Sequence, residues 1–268
     1  MPREITAFSN PLVKRVRSLR EKRHRREEGL FLAEGLRILV EAEEAGSLPL
    51  WLFHADDSAA RTLVRRLSAK VEAAGGEVIA TSRDILHKLS GKDNPQAVLG
   101  VYRQFDTALD RLDRTRSGLW LVAQSLRDPG NLGTMLRTGD AVGAGGLILV
   151  DDCADPFSVE AVRASMGALF TQSIAQARWE EFLPWLRSGP GELVALDLDG
   201  SEPYRAPRYA APTFLLVGNE AQGLPTGYAA AADRRVRIPM LGKADSLNAA
   251  VSVAVVAYEV LAQREPAA

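Results

Sequence analysis

Short, almost wholly apolar runs alternate along the chain with longer stretches whose apolar positions recur every three or four residues. The first kind suits strands buried on both faces, the second amphipathic helices. From the start, Leu12, Val16 and Leu19 mark a thin apolar stripe on one helix over 10–26. A first series then predicts strands at 30–33, 50–53, 78–80 and 97–102, with helices at 36–45, 59–74 and 83–89. Gly75 and Gly76 close the middle helix, glycine being the usual stop past a helix end. A second series begins at Gly118, with strands at 119–123, 147–150, 192–196, 213–217 and 236–238 and helices at 132–142, 159–166 and 180–187. The last element, 247–261, is apolar nearly all round, with Val251, Val253, Val255, Val256 and Val260. Such a helix belongs in a core or an interface.

Short apolar strands between helices predict an α/β fold, with a mostly parallel sheet covered on both faces in the C-terminal half and a smaller α/β unit before it. The charged, aperiodic stretch 106–117 reads as a linker, dividing the chain into 1–105 and 118–268. Its 268 residues, 46% hydrophobic, suffice for one large core or two modest ones. A net charge of −1 excludes a polycation, so any affinity for nucleic acid must be local. The strongest imbalance is in 10–26, where Lys14, Arg15, Arg17, Arg20, Lys22, Arg23, Arg25 and Arg26 face one acid, Glu21. That helix would favour a phosphate backbone, with Lys14, Arg15, Arg20, Arg23 and Arg26 as candidate contacts, or be a solvated surface. The lone Cys153 leaves no intramolecular disulfide, which fits a reducing compartment. His24, His54 and His87 lack metal-ligand spacing, so no metal is expected. No apolar run reaches the roughly 18 residues that span a bilayer, and the first ten residues hold no apolar signal core. The expectation is a cytoplasmic protein with no membrane partner.

Three constellations carry candidate chemistry. Asp128-Pro129-Gly130-Asn131-Leu132-Gly133 follows a buried strand, with Arg137 two turns into the next helix. Its glycines allow close backbone approach, and Asn131 can cap the helix. Leu215-Leu216-Val217-Gly218-Asn219-Glu220 ends a strand in a glycine and then offers an amide and a carboxylate at the carboxyl end, where open α/β sheets bind ligands. Ile238-Pro239-Met240 and Asp245-Ser246-Leu247-Asn248 lead into the apolar last helix, where Ser246 can serve as N-cap. Asn248, at the mouth of a buried helix, needs partners for its amide or costs about 1–3 kcal/mol. Each constellation alone has a bland explanation: a capped helix, a strand-to-loop turn, a helix start.

Together and in this order they resemble the three motifs of the SpoU family, within the SPOUT superfamily of RNA methyltransferases. Arg163-Ala164-Ser165-Met166-Gly167-Ala168-Leu169-Phe170 is similar to the segment that family carries between its first two motifs, and Phe31-Leu32-Ala33-Glu34-Gly35 resembles the ribosomal-protein-like RNA-binding domain often fused in front. Gly139 departs from the family's alanine, at a cost of about 1 kcal/mol in a helix. The resemblance implies a deep trefoil knot in 118–268, a homodimer, and S-adenosylmethionine as methyl donor. Leu196, Gly218, Ile238, Met240 and Leu247 would hold the donor. Arg137, Asn131, Glu220, Ser246 and Asn248 would form the catalytic site, Arg137 acting either as base or by orienting the hydroxyl. The implied activity is methylation of a ribose 2′-hydroxyl, in ribosomal RNA ahead of transfer RNA. Base methylation and a non-catalytic RNA-binding assembly factor are the alternatives. A dinucleotide fold is disfavoured because Gly143-Ala144-Gly145-Gly146 precedes a strand rather than following one.

Overall fold

The computed structural model describes residues 3–55, 61–91, 96–200 and 202–264. The first sheet is built from β1 (Arg3–Ile5), β2 (Leu30–Glu34), β3 (Trp51–His54), β4 (Glu77–Thr81) and β5 (Val98–Arg103), in the order β1-β4-β3-β5-β2. It is mixed: β1, β4 and β3 run parallel, and β5 is antiparallel to β3 and β2. β1 was not expected, because a three-residue strand with two exposed positions leaves no apolar run to read. Helices α1 (Pro11–Ser18), α2 (Lys22–Glu28), α3 (Leu36–Glu44), α4 (Arg61–Ala73) and α5 (Arg83–Ser90) accompany the sheet. The start expected for α4, at 59, lies outside the described residues.

The single helix expected over 10–26 is two. Asn10 caps α1 through the N–H of Leu12, and Leu19 ends it. Arg25, which the charge pattern places among surface cations, is only 3% exposed. Its guanidinium donates to the carbonyls of Leu19 and Arg20 at 3.0 and 2.7 Å and to the Asp155 carboxylate at 2.6 and 3.0 Å. The last carbonyls of a helix have no partner inside it; here a buried arginine from the next helix supplies one.

The second sheet holds β6 (Leu119–Gln124), β7 (Gly146–Val150), β8 (Ser173–Ala177), β9 (Glu192–Leu196), β10 (Glu202–Pro203), β11 (Thr213–Val217) and β12 (Arg234–Arg237). All pairings are parallel, in the order β10-β12-β9-β11-β6-β7-β8. β6, β7 and β11 are buried throughout, which is why they read as unbroken apolar runs. The edge strands β8 and β10, with mixed patterns, were not expected, nor was the helix α9 (Thr226–Ala231). Trp120, Trp179, Phe182 and Phe214 share one core. The helix α10 (Ala249–Ala262) packs on α6 (Pro129–Ala141) and β11. Gly145 and Gly146 are packing residues: an added Cβ would lie 2.5 Å from the Trp120 ring and 2.1 Å from the Ser173 carbonyl oxygen.

The chain advances from β6 through β7 to β8 in one direction, then crosses to β9, and β11 inserts between β9 and β6. The loops leaving the carboxyl ends of β6 and β11 therefore meet where the strand order reverses, the place where such sheets bind ligands.

One segment departs from the expected division of the chain. Residues 155–171 cluster with 1–105, and the second unit comprises 106–154 and 172–268. The segment holds α7 (Val159–Ala164) and α8 (Trp179–Arg187) follows it in the second unit. Val159 belongs to the core of Ile5, Leu19, Leu30 and Leu86, and Phe157 and Phe170 lie 5.1 and 5.9 Å from Phe31, centre to centre.

Candidate active site

Ser125, just past β6, adopts φ 48°, a left-handed value uncommon for a side-chain-bearing residue. Its carbonyl accepts a hydrogen bond from Asn219 Nδ2 at 2.8 Å. The chain then enters α6, which Asp128 caps by accepting from the N–H of Asn131 at 2.9 Å, with Pro129 in the first turn. Asn131 is therefore not the cap, and its side chain is free to reach across the loops. Its Nδ2 donates to Glu220 Oε1 at 3.1 Å, and its Oδ1 accepts from Asn248 Nδ2 at 2.8 Å. Asn248, not Ser246, caps α10: its Oδ1 accepts from the N–H groups of Ala250 and Val251 at 2.9 and 3.3 Å. The Ser246 hydroxyl instead donates to Asp245 at 3.3 Å.

Glu220 completes the junction. Its two oxygens accept from the N–H groups of Arg127 and Asp128 at 3.3 and 3.2 Å as well as from Asn131. Burial raises its pKa, but the bonds from Asn131 and the two backbone N–H groups outweigh it and hold the carboxyl below the usual glutamate range. Glu220 is thus an ionised clamp with its lone pairs engaged, tying the first constellation to the second. Asn131 and Asn248 tie the first to the third. The loop after β11 folds back on itself, Asn219 and Gly223 exchanging backbone hydrogen bonds at 3.2 and 2.9 Å. A Cβ on Gly218 would sit 2.4 Å from the Gly223 carbonyl carbon, so only glycine permits the fold-back.

Beside this junction lies a cavity of about 450 Å³. Leu196, Gly218, Ile238, Met240 and Leu247 all line it, and so do Glu220 and Ser246. Asp197, Leu198 and Asp199, which follow β9, line it too and lie in none of the three sequence motifs. Their signal was position alone, directly past a strand's carboxyl end. Asp197 is held by Arg235 at 2.6 and 3.0 Å.

Arg137 does not line this cavity. It is exposed on α6 and has no hydrogen-bond or ion-pair partner among the described residues. Six residues separate it from Asn131, placing it about 120° away around the helix and roughly 9 Å along it. Burial pushes the Cys153 thiol up to about 11, and its Sγ donates to the carbonyls of Ala123 and Val150 at 3.3 Å. That environment disfavours the thiolate a nucleophile needs. No cluster of His, Cys, Asp or Glu suited to a metal occurs among the described residues, and none of their helices is long and apolar enough to cross a membrane.

In the N-terminal unit the candidate RNA contacts differ in state. Arg15 donates to Glu28 at 3.0 Å and stands 5.0 Å over Trp51, and Arg23 pairs with Glu27 at 2.7 Å. Lys14, Arg20 and Arg26 are exposed and unpaired among the described residues.

A parallel sheet with a cavity at its switch point, closed by loops that clamp one another, defines an α/β ligand-binding domain, here accompanied by a smaller mixed-sheet unit. Residues 118–258 match the SpoU rRNA Methylase family, and the chain belongs to that family. Residues 10–100 match the MRM3-like substrate binding domain. The chain is 32% identical to the 23S rRNA (uridine(2479)-2'-O)-methyltransferase of Streptomyces viridochromogenes, over 91% of this chain and 86% of that one. Among solved structures, the AdoMet-bound rRNA methyltransferase from Sinorhizobium meliloti matches with a TM-score of 0.90 and 38% identity, covering 98% of this chain and 99% of the other. The SpoU methyltransferase AviRb from Streptomyces viridochromogenes in complex with AdoMet matches with a TM-score of 0.86 and 30% identity, over 95% and 98%.

Proposed function

We propose that the chain transfers a methyl group from S-adenosylmethionine to a ribose 2′-hydroxyl of ribosomal RNA. The observation that carries this reading is the convergence of Leu196, Gly218, Ile238, Met240 and Leu247, from separate segments, on one cavity beside the Asn131–Glu220–Asn248 junction. At about 450 Å³ it falls within the roughly 300–1,000 Å³ of small-ligand sites. Its apolar side chains suit the flat and aliphatic parts of the donor, and Asp197, Asp199 and Ser246 offer polar partners. The bound donor supplies an electrophilic methyl group.

The chain's own residues do the rest. The clamp holds the loops that shape the cavity. An arginine side chain carries donors and no acceptor, so Arg137 orients the hydroxyl and stabilises the oxygen's developing charge. As the new O–CH3 bond forms, the donor's S–CH3 bond breaks, the neutral thioether leaves, and the hydroxyl proton passes to water. Alignment accounts for much of the rate in such a transfer. The reading includes a homodimer through the α10 stripe of exposed Val251 and Tyr258 with half-buried Val255 between them, and the trefoil knot that the family resemblance implies for 118–268. A ribosomal RNA substrate supports a cytoplasmic location for the enzyme.

Calorimetry with S-adenosylmethionine, followed by ribose-methylation mapping of RNA from a deletion strain, tests the proposal. Arg137→Ala should abolish transfer and leave donor affinity within several-fold, whereas near-normal turnover in that variant overturns the assignment. A methylated base in a nucleoside digest would redirect the reading to base methylation.

A further inference from the structure

Within the N-terminal unit α1, α2 and α5 border a groove of about 1170 Å³, larger than the roughly 300–1,000 Å³ that suits a small molecule. Lys14 and Arg17 of α1, Arg20 in the turn after it and Lys88 of α5 line it. The side chains of the first three have no hydrogen-bond or ion-pair partner among the described residues. Arg20 is seated by design of the backbone: Gly91 has φ +71°, and a Cβ there would lie 2.1 Å from the guanidinium carbon of Arg20. Phe8, 46% exposed, stands at the same groove with Lys88 Nζ 4.9 Å from its ring centre. Three acids also line the groove. Asp84 and Glu160 occupy first turns of helices, where negative charge complements the dipole, and Glu21 lies 3.7 Å from His24.

We propose that this groove binds an unpaired stretch of RNA, its phosphates against Lys14, Arg17, Arg20 and Lys88 and one base against Phe8. The inference rests on the RNA methyltransferase reading and deepens it by naming the form of RNA the N-terminal unit takes. An exposed aromatic beside cations is the arrangement that stacks bases of single strands while tracking their backbone. The interspersed acids oppose a continuous run of phosphates and suit base amino groups, which carboxylates accept from. An acidic peptide fits less well: among the described residues the apolar lining is Phe8 and the buried Val159, too little to anchor peptide side chains.

The test measures binding of the full chain to a labelled uridine dodecamer across a salt series, with a fully paired RNA duplex and poly-L-glutamate as competitors. The double variant Arg17→Ala, Lys88→Ala should flatten the log–log salt slope by about 1.4, at roughly 0.7 per lost contact. Phe8→Ala should weaken binding roughly tenfold and leave the slope unchanged, because stacking releases no counterion. Arg66→Ala, whose arginine pairs with Glu43 on another helix, should change neither. Unchanged affinity and slope in the first two variants overturn the proposal, as does a duplex that competes as well as the single strand. Displacement by poly-L-glutamate at equal charge would assign the groove to an acidic polypeptide instead. Donor calorimetry on the same proteins separates the two readings. Failure of the groove with donor binding intact sinks this inference alone, and loss of donor binding in the parent protein sinks the methyltransferase reading.

Discussion

Glu220, Asn131 and Asn248 show how little of a side chain's work is visible from its type. Each has a local explanation in the sequence, a turn carboxylate or a helix cap, and only Asn248 is in fact a cap. Glu220 spends its oxygens on two backbone N–H groups and on Asn131. Because its folded pKa lies below that of an unfolded glutamate, about 4.3, its contribution is complete above that value and is lost as pH falls through the lower folded one. Glu220→Gln puts an amide donor against N–H donors and should lower the melting temperature at pH 7. The difference from the parent should shrink as melting is followed to pH values below the ordinary glutamate range, where the parent's own carboxyl takes up its proton. A gap that stays constant with pH would show that the carboxylate is not the clamp.

Among the elements, the elbow between α1 and α2 is set by one buried group. Arg25 looks in sequence like any other cation of a basic helix, because helical periodicity cannot tell which arginine turns inward. Replacing it by methionine keeps bulk but leaves Asp155, whose side chain is 12% exposed, and two carbonyls without their donor. Removing one partner of a buried ion pair costs about 3–5 kcal/mol, and urea denaturation of Arg25→Met should show a loss of that order. Adding Asp155→Asn should recover part of it, since the two sites couple directly. The helices and central strands were legible because burial on one stripe or on both faces imposes its own period. β1, β8 and β10 were not, because short edge strands bury too little to leave a pattern.

For the molecule as a whole, α10 presents Val251 and Tyr258, 46% and 52% exposed, on the same face as Val255. This row at i, i+4 and i+7 is the face through which the proposed homodimer would form. The paired substitution Val251→Glu, Tyr258→Glu should give a monomer in sedimentation, with the fold retained by circular dichroism. A variant that still sediments as the parent does would remove this face from the assembly.

The periodicity of apolar positions was enough to establish an α/β protein with a parallel C-terminal sheet; of the motif residues, Gly218, Glu220, Ile238, Met240, Ser246 and Leu247 line the cavity, Arg137 does not, and Asp197 to Asp199 lie in no motif. Period and motif are both properties of short windows: a buried face repeats every two or 3.6 residues, and a motif's residues leave one strand end together. Neighbour relations among strands are different. β6, β9 and β11 carry equivalent apolar runs, so no window says that β11 lies between the other two. The bonds that make the site join Asn131 to Glu220 and to Asn248 across 89 and 117 residues, and exist only once that order is set. The same holds for residues 155–171, whose Phe157, Val159 and Phe170 are apolar enough for either core. They pack in the first unit because Phe31 and its neighbours meet them there, a choice made by packing in three dimensions and not by propensity along the chain.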